Sequence, residues 1–344
     1  MLAVTFQEPG RVELLEKPDP EPIAPDDAVV RIEASGVCGS DLHIYKGRVK
    51  IEPGFTLGHE YVGEVVAAGD AVHSVAVGDR VLGTFVTACG TCFFCRRGLY
   101  QRCDSARVFG HGATMGSLQG TQAELALVPR ANLTLRKVPD GLSDGAALFA
   151  GDVMGTGYHA VVAAGLRPGD SCAIVGLGPV GLCAAMAARV AGASAVLALD
   201  TVDARLEMAR SLGAIPIHAT EEDAGARVKA ETGGRGADVT VEAVGHPVAL
   251  ETACRLARKG GTVSVIGVYA ERAEVHMGIV FIKGLRLVAG LANVIAHLDP
   301  VLALMAAGRL DPTPLVTREM KLADAADAYD AFDRRDALKI LLRP

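Results

Sequence analysis

Gly176-Leu177-Gly178-Pro179-Val180-Gly181 restricts what this chain can fold into more than any other stretch. With 40 glycines in 344 residues, a G-x-G-x-x-G match on its own carries little weight. Its setting decides the matter. The apolar run Cys172–Val175 precedes it, a helical pattern follows, and the next apolar run, Ala195–Asp200, ends on a carboxylate. That order requires a strand, a tight turn and a helix in a parallel α/β unit, with a dinucleotide pyrophosphate against the N–H groups of the helix N-terminus. Gly176, Gly178, Pro179, Val180 and Gly181 are therefore expected to bind the coenzyme. Asp200 is placed to accept hydrogen bonds from the adenosine ribose and to repel a 2′-phosphate, so NAD is expected over NADP. Thr201, Val202 and Asp203 follow it directly. Arg205, the first cation beyond, is expected to reach the ribose edge.

Further alternation supports a doubly wound sheet. A helix over 204–212, a strand at Asp238–Glu242, a helix over 249–258 and a strand at Gly261–Gly267 follow in turn. Ser171–Ala188 carries no charge but is broken by glycines and Pro179, so it reads as a buried strand plus a core-facing helix and not a membrane span. Before residue 150 the texture is β-rich, with strands at Val29–Ala34 and Tyr61–Gly69 and a Gly78-Asp79 turn leading into another. A last strand is expected at Ala337–Leu342. There are no repeats. Half the residues are hydrophobic and tryptophan is absent, so the core is one of Ala, Val, Leu and Ile. The net charge of −6 and a pI near 5.9 argue against nucleic-acid and anionic-membrane partners. The opening residues show no basic segment before an apolar run, which makes the cytoplasm the expected location.

Cys89, Cys92, Cys95 and Cys103 follow C-x2-C-x2-C-x7-C and make up half of the eight cysteines. Such crowding is either a disulfide knot or a metal clamp, and a reducing compartment disfavours the knot. Cys172, Cys183 and Cys254 fall in apolar runs and read as core.

Three more segments complete the pattern: Gly36-Val37-Cys38-Gly39-Ser40-Asp41-Leu42-His43, Gly58-His59-Glu60 before a Val- and Gly-rich strand, and Asp152 just ahead of the nucleotide unit. With the four-cysteine loop and the glycine turn, in this order, the chain resembles the zinc-dependent medium-chain alcohol dehydrogenases over nearly its whole length. Gly116–Glu124 is similar to the formaldehyde-dehydrogenase-like and secondary-alcohol branch. The resemblance implies an α/β fold: an irregular GroES-like β-barrel catalytic domain plus a doubly wound parallel-sheet Rossmann domain. The catalytic domain would span 1–154 and 291–344, with a structural-zinc lobe at about 88–110, and the NAD-binding domain 155–290. Cys38, His59 and Asp152 would hold a catalytic zinc with one position open. Asp41 would orient His59, and Glu60 would lie near the metal. Cys89, Cys92, Cys95 and Cys103 would close a second, structural zinc, giving two zinc ions per subunit. Ser40 and His43 would carry the substrate proton, Thr156 and Val268 would pack on the nicotinamide, and Phe85 would line the pocket. The reaction implied is reversible hydride transfer from a zinc-bound alkoxide to NAD, giving an aldehyde or ketone. The alternatives are a polyol, threonine or formaldehyde dehydrogenase on the same frame, or a non-catalytic NAD- and zinc-binding protein. A homodimer or homotetramer is implied, its coenzyme domains pairing through 261–291.

Overall fold

The structure is a computed structural model and describes residues 1–270 and 272–344. Ser171–Val175 (β1) is buried at all five positions, as a strand covered on both faces must be. It is the centre of a six-stranded parallel sheet whose other strands are Ala195–Asp200 (β2), Ile215–His218 (β3), Ala237–Glu242 (β4), Ala257–Val265 (β5) and Arg286–Ala289 (β6). The order is β3-β2-β1-β4-β5-β6, with the reversal beside β1 where nucleotides bind in doubly wound sheets. Helices Pro179–Val190, Asp203–Ser211, Ala224–Glu231 and Pro247–Leu256 join the strands.

Both limits of two adjacent elements differ from the sequence reading. The last of these helices starts at Pro247, where His246 caps it by accepting Val248 N–H. It ends at Leu256 because Ala257 already pairs with β4, so β5 starts earlier than residue 261 and stops at Val265. The edge strands β3 and β6 had no strong sequence signal. β3 carries Pro216, which an edge strand tolerates. Helix Val153–Ala164 packs against Pro179–Val190 at Gly157, where a Cβ would lie 2.5 Å from Ala184 N. The uncharged stretch from Ser171 is β1 plus a helix. Among the described residues no helix is long and apolar enough to cross a membrane.

The chain divides into two compact units, Val153–Ala292 and Met1–Asp152 with Asn293–Pro344, so the divisions fall at 152/153 and 292/293 where the sequence suggested 154/155 and 290/291. The second unit is mainly antiparallel. Leu2–Glu8 and Arg11–Glu16 form a hairpin that pairs with Phe55–Thr56. A larger sheet runs through Leu135–Lys137, Arg80–Gly83, Tyr61–Ala68, Ala28–Val37, Lys339–Arg343 and Val316–Lys321, with Leu125–Val128 also on Ala28–Val37. The final strand is Lys339–Arg343, two residues later than its apolar pattern suggested, and it pairs antiparallel with Ser35–Val37. Helix Ala325–Asp333 buries Tyr329 and Phe332 among Val37, Ile44, Tyr45 and Leu57.

Candidate active site and metal centres

Strand Ala28–Val37 delivers Cys38 to the N-cap of the short helix Gly39–Tyr45, where its N–H donates to Asp41 Oδ2 at 2.9 Å. Gly58 lies in the left-handed region (φ +89°), and a Cβ there would meet Gln122 Cγ at 2.4 Å. Only glycine allows the chain to turn so tightly onto residue 122 before presenting His59 and Glu60. Asp152 follows Gly151, where a Cβ would lie 1.9 Å from Gly83 O.

These turns gather one donor atom each from Cys38, His59, Glu60 and Asp152 within 4.8 Å of one another. Asp152 Oδ2 lies 3.5 Å from Cys38 Sγ and 3.3 Å from His59 Nε2. Ser40 Oγ is 3.2 Å from the same nitrogen, and Asp41 Oδ1 is 3.1 Å from His59 Nδ1 on the other side of the ring. Burial pushes Asp152 up, but His59 outweighs that and brings it down to about 2. Burial opposes charge on His59, yet Asp41 and Asp152 raise it well above the ordinary histidine value. The Cys38 thiol is raised by burial, Glu60 and Asp152. Thiol, imidazole and carboxylate in a pocket of negative potential fit a zinc ion, whose charge would favour the thiolate and the neutral imidazole.

Glu60 is fully buried, and Lys339 Nζ lies 2.6 Å from Oε1 and 2.5 Å from Oε2. Burial pushes Glu60 up to about 7 while Lys339 pulls it down. Burial opposes the lysine charge, but Glu60, Cys38 and Asp152 raise its pKa overall. A Cβ at Gly36 would lie 1.9 Å from Glu60 Oε2, so that position admits no side chain. The sequence reading missed Lys339, although a lone cation inside Lys339-Ile340-Leu341-Leu342 was a usable signal.

His111 was also missed. Its ring stands 5.2 Å from that of His59, and Nδ1 donates to Phe109 O at 2.8 Å, which leaves Nε2 as an acceptor. Buried Phe85 meets His59 edge-on at 6.4 Å. His43 is half-buried, its Nδ1 has no partner, and burial with Arg48 and Lys46 lowers its pKa. Gly116–Glu124 serves as packing: Gln119 Oε1 accepts Thr56 N–H at 2.9 Å, and a Cβ at Gly120 would meet Leu57 O at 2.0 Å.

The sulfurs of Cys89, Cys92, Cys95 and Cys103 form a second group within 4.8 Å. Cys89 and Cys95 sulfurs are 4.0 Å apart, twice a disulfide bond length, and no disulfide is present among the described residues. Backbone N–H groups point at the sulfurs: Cys92 at Cys89 (3.3 Å), and Cys89 and Ser105 at Cys103 (3.2 and 3.4 Å). N–H groups of Thr91 and Cys92 lower Cys89 to about 6, whereas burial raises Cys95 to about 12. Four sulfurs converging under N–H donors fit a closed tetrahedral zinc.

In the Val153–Ala292 unit, Gly176 is left-handed (φ +94°), and a Cβ at Gly181 would lie 1.9 Å from Gly176 O. Gly178 caps the helix, Pro179 opens it, and Val180 follows in its first turn. Asp200 already accepts Leu177 N–H at 2.7 Å on Oδ2, and Thr201 and Val202 N–H at 2.7 and 3.1 Å on Oδ1. Arg205 Nη1 faces Oδ2 at 3.5 Å, so its guanidinium stands beside the carboxylate. Thr156 is half-buried in helix Val153–Ala164, and Val268 is half-exposed.

The family profile of the alcohol dehydrogenase GroES-like domain matches residues 24–140, and that of zinc-binding dehydrogenase matches 179–307. An alcohol dehydrogenase of Cupriavidus necator is 36% identical, covering 100% of this chain and 99% of that protein. Alcohol dehydrogenase TADH from Thermus sp. ATN1 superposes with a TM-score of 0.96 at 46% identity, covering 100% and 99% of the two chains. A zinc-binding dehydrogenase from Sinorhizobium meliloti solved with NADP superposes at 0.88 with 30% identity, covering 100% and 99%. Two matched domains and relatives of full-length similarity, on a fold carrying both donor clusters, agree in one conclusion: the chain belongs to the zinc-dependent medium-chain alcohol dehydrogenase family.

Proposed function

We propose that the chain oxidises a small alcohol reversibly to an aldehyde or ketone with NAD, using Cys38, His59 and Asp152 to hold a catalytic zinc and the four-cysteine loop to hold a structural one. The observation that carries the reading is the convergence of Cys38, His59, Glu60 and Asp152 donor atoms within 4.8 Å, with Ser40 Oγ 3.2 Å from His59 Nε2. When bound, the zinc supplies Lewis acidity that favours loss of the alcohol proton. Asp41 stands behind the His59 ring, and Lys339 pairs with the Glu60 carboxylate. Ser40 Oγ accepts the alcohol proton as its own hydroxyl proton leaves toward His43, whose lowered pKa keeps its ring neutral at pH 7, able to take that proton and release it to solvent. Phe85 and His111 flank His59 and shape the space beside it.

NAD is the coenzyme this reading prefers, because a carboxylate at Asp200 meets a 2′-phosphate as like charge. Glycine turn residues 176, 178 and 181 with Pro179 and Val180 take the pyrophosphate, and Thr156 and Val268 the nicotinamide. Phe281, Ile282 and Met277, exposed by 86, 77 and 66%, lie on the helix that leads into edge strand β6 and suit a second copy of the chain. Cysteines outside any disulfide suit a reducing, cytoplasmic setting. The test is metal analysis of the purified protein together with NADH and NADPH formation over a panel of primary alcohols, secondary alcohols and polyols. Two zinc ions and NADH production are expected. A zinc-replete protein that reduces no coenzyme with any member of the panel would sink the reading.

A further inference from the structure

Behind His59 lies a line of side chains contributed by three distant parts of the chain. Asp41, Gln122 and Tyr329 are each fully buried. Tyr329 O–H donates to Gln122 Oε1 at 2.8 Å. Gln122 Nε2 donates to Gly36 O at 2.9 Å and points at Asp41 Oδ2 at 3.4 Å. Asp41 Oδ2 also takes the N–H of Cys38, and Oδ1 lies 3.1 Å from His59 Nδ1, close but not aligned as a hydrogen bond. We infer that Gln122 and Tyr329 are positioning residues for the catalytic metal, acting through Asp41 on the ligand His59. This rests on the reading of Cys38, His59 and Asp152 as the ligand set.

The direction of the line follows from chemistry. A backbone carbonyl and a carboxylate only accept, so the amide nitrogen of Gln122 must face Gly36 and Asp41. Its oxygen then faces Tyr329, which must donate. Burial keeps the tyrosine protonated, with the negative charge near Asp41 and Cys38 acting the same way. Every group in the line therefore has a single role, and the outcome is an Asp41 carboxylate held at Oδ2 and turned with Oδ1 to the imidazole. Asp41 Oδ1, 3.1 Å from Nδ1, favours the tautomer with the proton on Nδ1, which leaves on Nε2 the lone pair that a metal requires.

Gln122 itself has little freedom to move. Its N–H donates to Leu57 O at 2.9 Å, its carbonyl accepts Val4 N–H at 2.8 Å, and its Cγ presses under Gly58, the residue before His59. The same side chain thus braces the segment bearing Cys38 through Gly36 and the segment bearing His59 through Gly58. Tyr329 is anchored in helix Ala325–Asp333 and packs on Tyr45 with ring centroids 5.3 Å apart, while Tyr45 O–H donates to Asp330 at 2.6 Å. The C-terminal helix is in this way tied to the orientation of one metal ligand.

Two substitutions test this on the full chain loaded with two zinc ions. Gln122→Met keeps the length of the side chain and removes both amide functions; Tyr329→Phe removes a single oxygen and leaves the packing intact. Transfer of each zinc to a chelator is followed over time, and the cobalt-substituted protein reports the catalytic site by its visible spectrum. Groups behind metal ligands change affinity by about 10–100-fold. One zinc is expected to leave about 10–100-fold faster in Gln122→Met and, by a smaller factor, in Tyr329→Phe. The cobalt spectrum should shift, and the four-cysteine zinc should be retained as in the parent. In an Asp41→Asn background, Gln122→Met is expected to add nothing further. Unchanged release in both folded variants overturns the inference and leaves the ligand reading standing. Parallel loss of both zinc ions overturns it too, since that is what a general packing defect produces. A parent protein that binds one zinc only defeats the ligand reading and the inference together.

Discussion

Lys339 and Glu60 show how much one buried residue can decide. Both are fully buried and their charges have only each other and the surrounding donors as solvent. Removing one partner leaves an uncompensated charge, a change that costs about 3–5 kcal/mol, whereas removing both leaves none. Lys339→Met is therefore expected to lower unfolding free energy by about that amount, and Lys339→Met with Glu60→Gln to recover most of it. Urea titrations of the two variants check this, and a double variant as unstable as the single one would count against the pair. Asp200 is a second case. Because its carboxylate accepts the N–H groups of Leu177, Thr201 and Val202, Asp200→Gly does more than change coenzyme preference. The preference should move toward NADP by about 10-fold, or roughly 1.4 kcal/mol. Stability should fall as well, by about 1–3 kcal/mol, the cost of stranding buried donors. Ratios of kcat/KM and unfolding midpoints test the two effects separately. An unmodified enzyme that uses NADP as readily as NAD would refute the electrostatic part.

At the scale of elements, the four-cysteine loop has little to fold around: Phe93 and Leu99 are exposed by 59 and 40%, and Arg97 covers the Phe93 ring at 3.6 Å. A metal held by the four sulfurs would contribute the energy that orders the loop. Cys103→Ser is expected to release one zinc and lower thermal stability while folded molecules keep residual turnover; Asp152→Ala is expected to lose the other zinc and turnover with the fold retained. Zinc counts and melting curves distinguish them, and a Cys103→Ser protein that keeps both zinc ions contradicts the assignment. In the coenzyme unit, β4 is tied to β1 and to the start of β5 by Asp238, which accepts Ser171 N–H at 2.8 Å, Ser171 O–H at 2.7 Å and Arg258 Nε at 2.5 Å. Burial works to raise its pKa, but these partners hold it below the ordinary 3.8. A lowered carboxylate stabilises the fold fully above its unfolded pKa, and the contribution fades as pH falls through the lower folded value. Asp238→Asn should therefore melt below the parent at pH 7, with the gap closing under pH 3.8. A gap independent of pH would show that the ionised form is not what matters.

For the molecule as a whole, the exposed apolar face of helix Met277–Lys283, which leads into β6, predicts self-association. Phe281→Asp should shift sedimentation toward the monomer, and an unchanged sedimentation coefficient would remove this face from the interface. The doubly wound unit was readable along the chain because its signals are local: an apolar run, a glycine turn that only glycine can make, and a helix, repeated. The same holds for the clustered cysteines, whose short spacing keeps them neighbours in almost any fold. By itself, then, the sequence determined the parallel sheet, the nucleotide turn and the types of donor atom available to metal. Tertiary structure alone decided what surrounds those donors. Lys339 reaches Glu60, and Tyr329 reaches Gln122, only because the C-terminal strand pairs with Ser35–Val37 and the helix before it packs on the same core. Those contacts join residues far apart in the chain, and no local periodicity encodes them: burial and the need to satisfy each buried polar group select the partners once the strands have met.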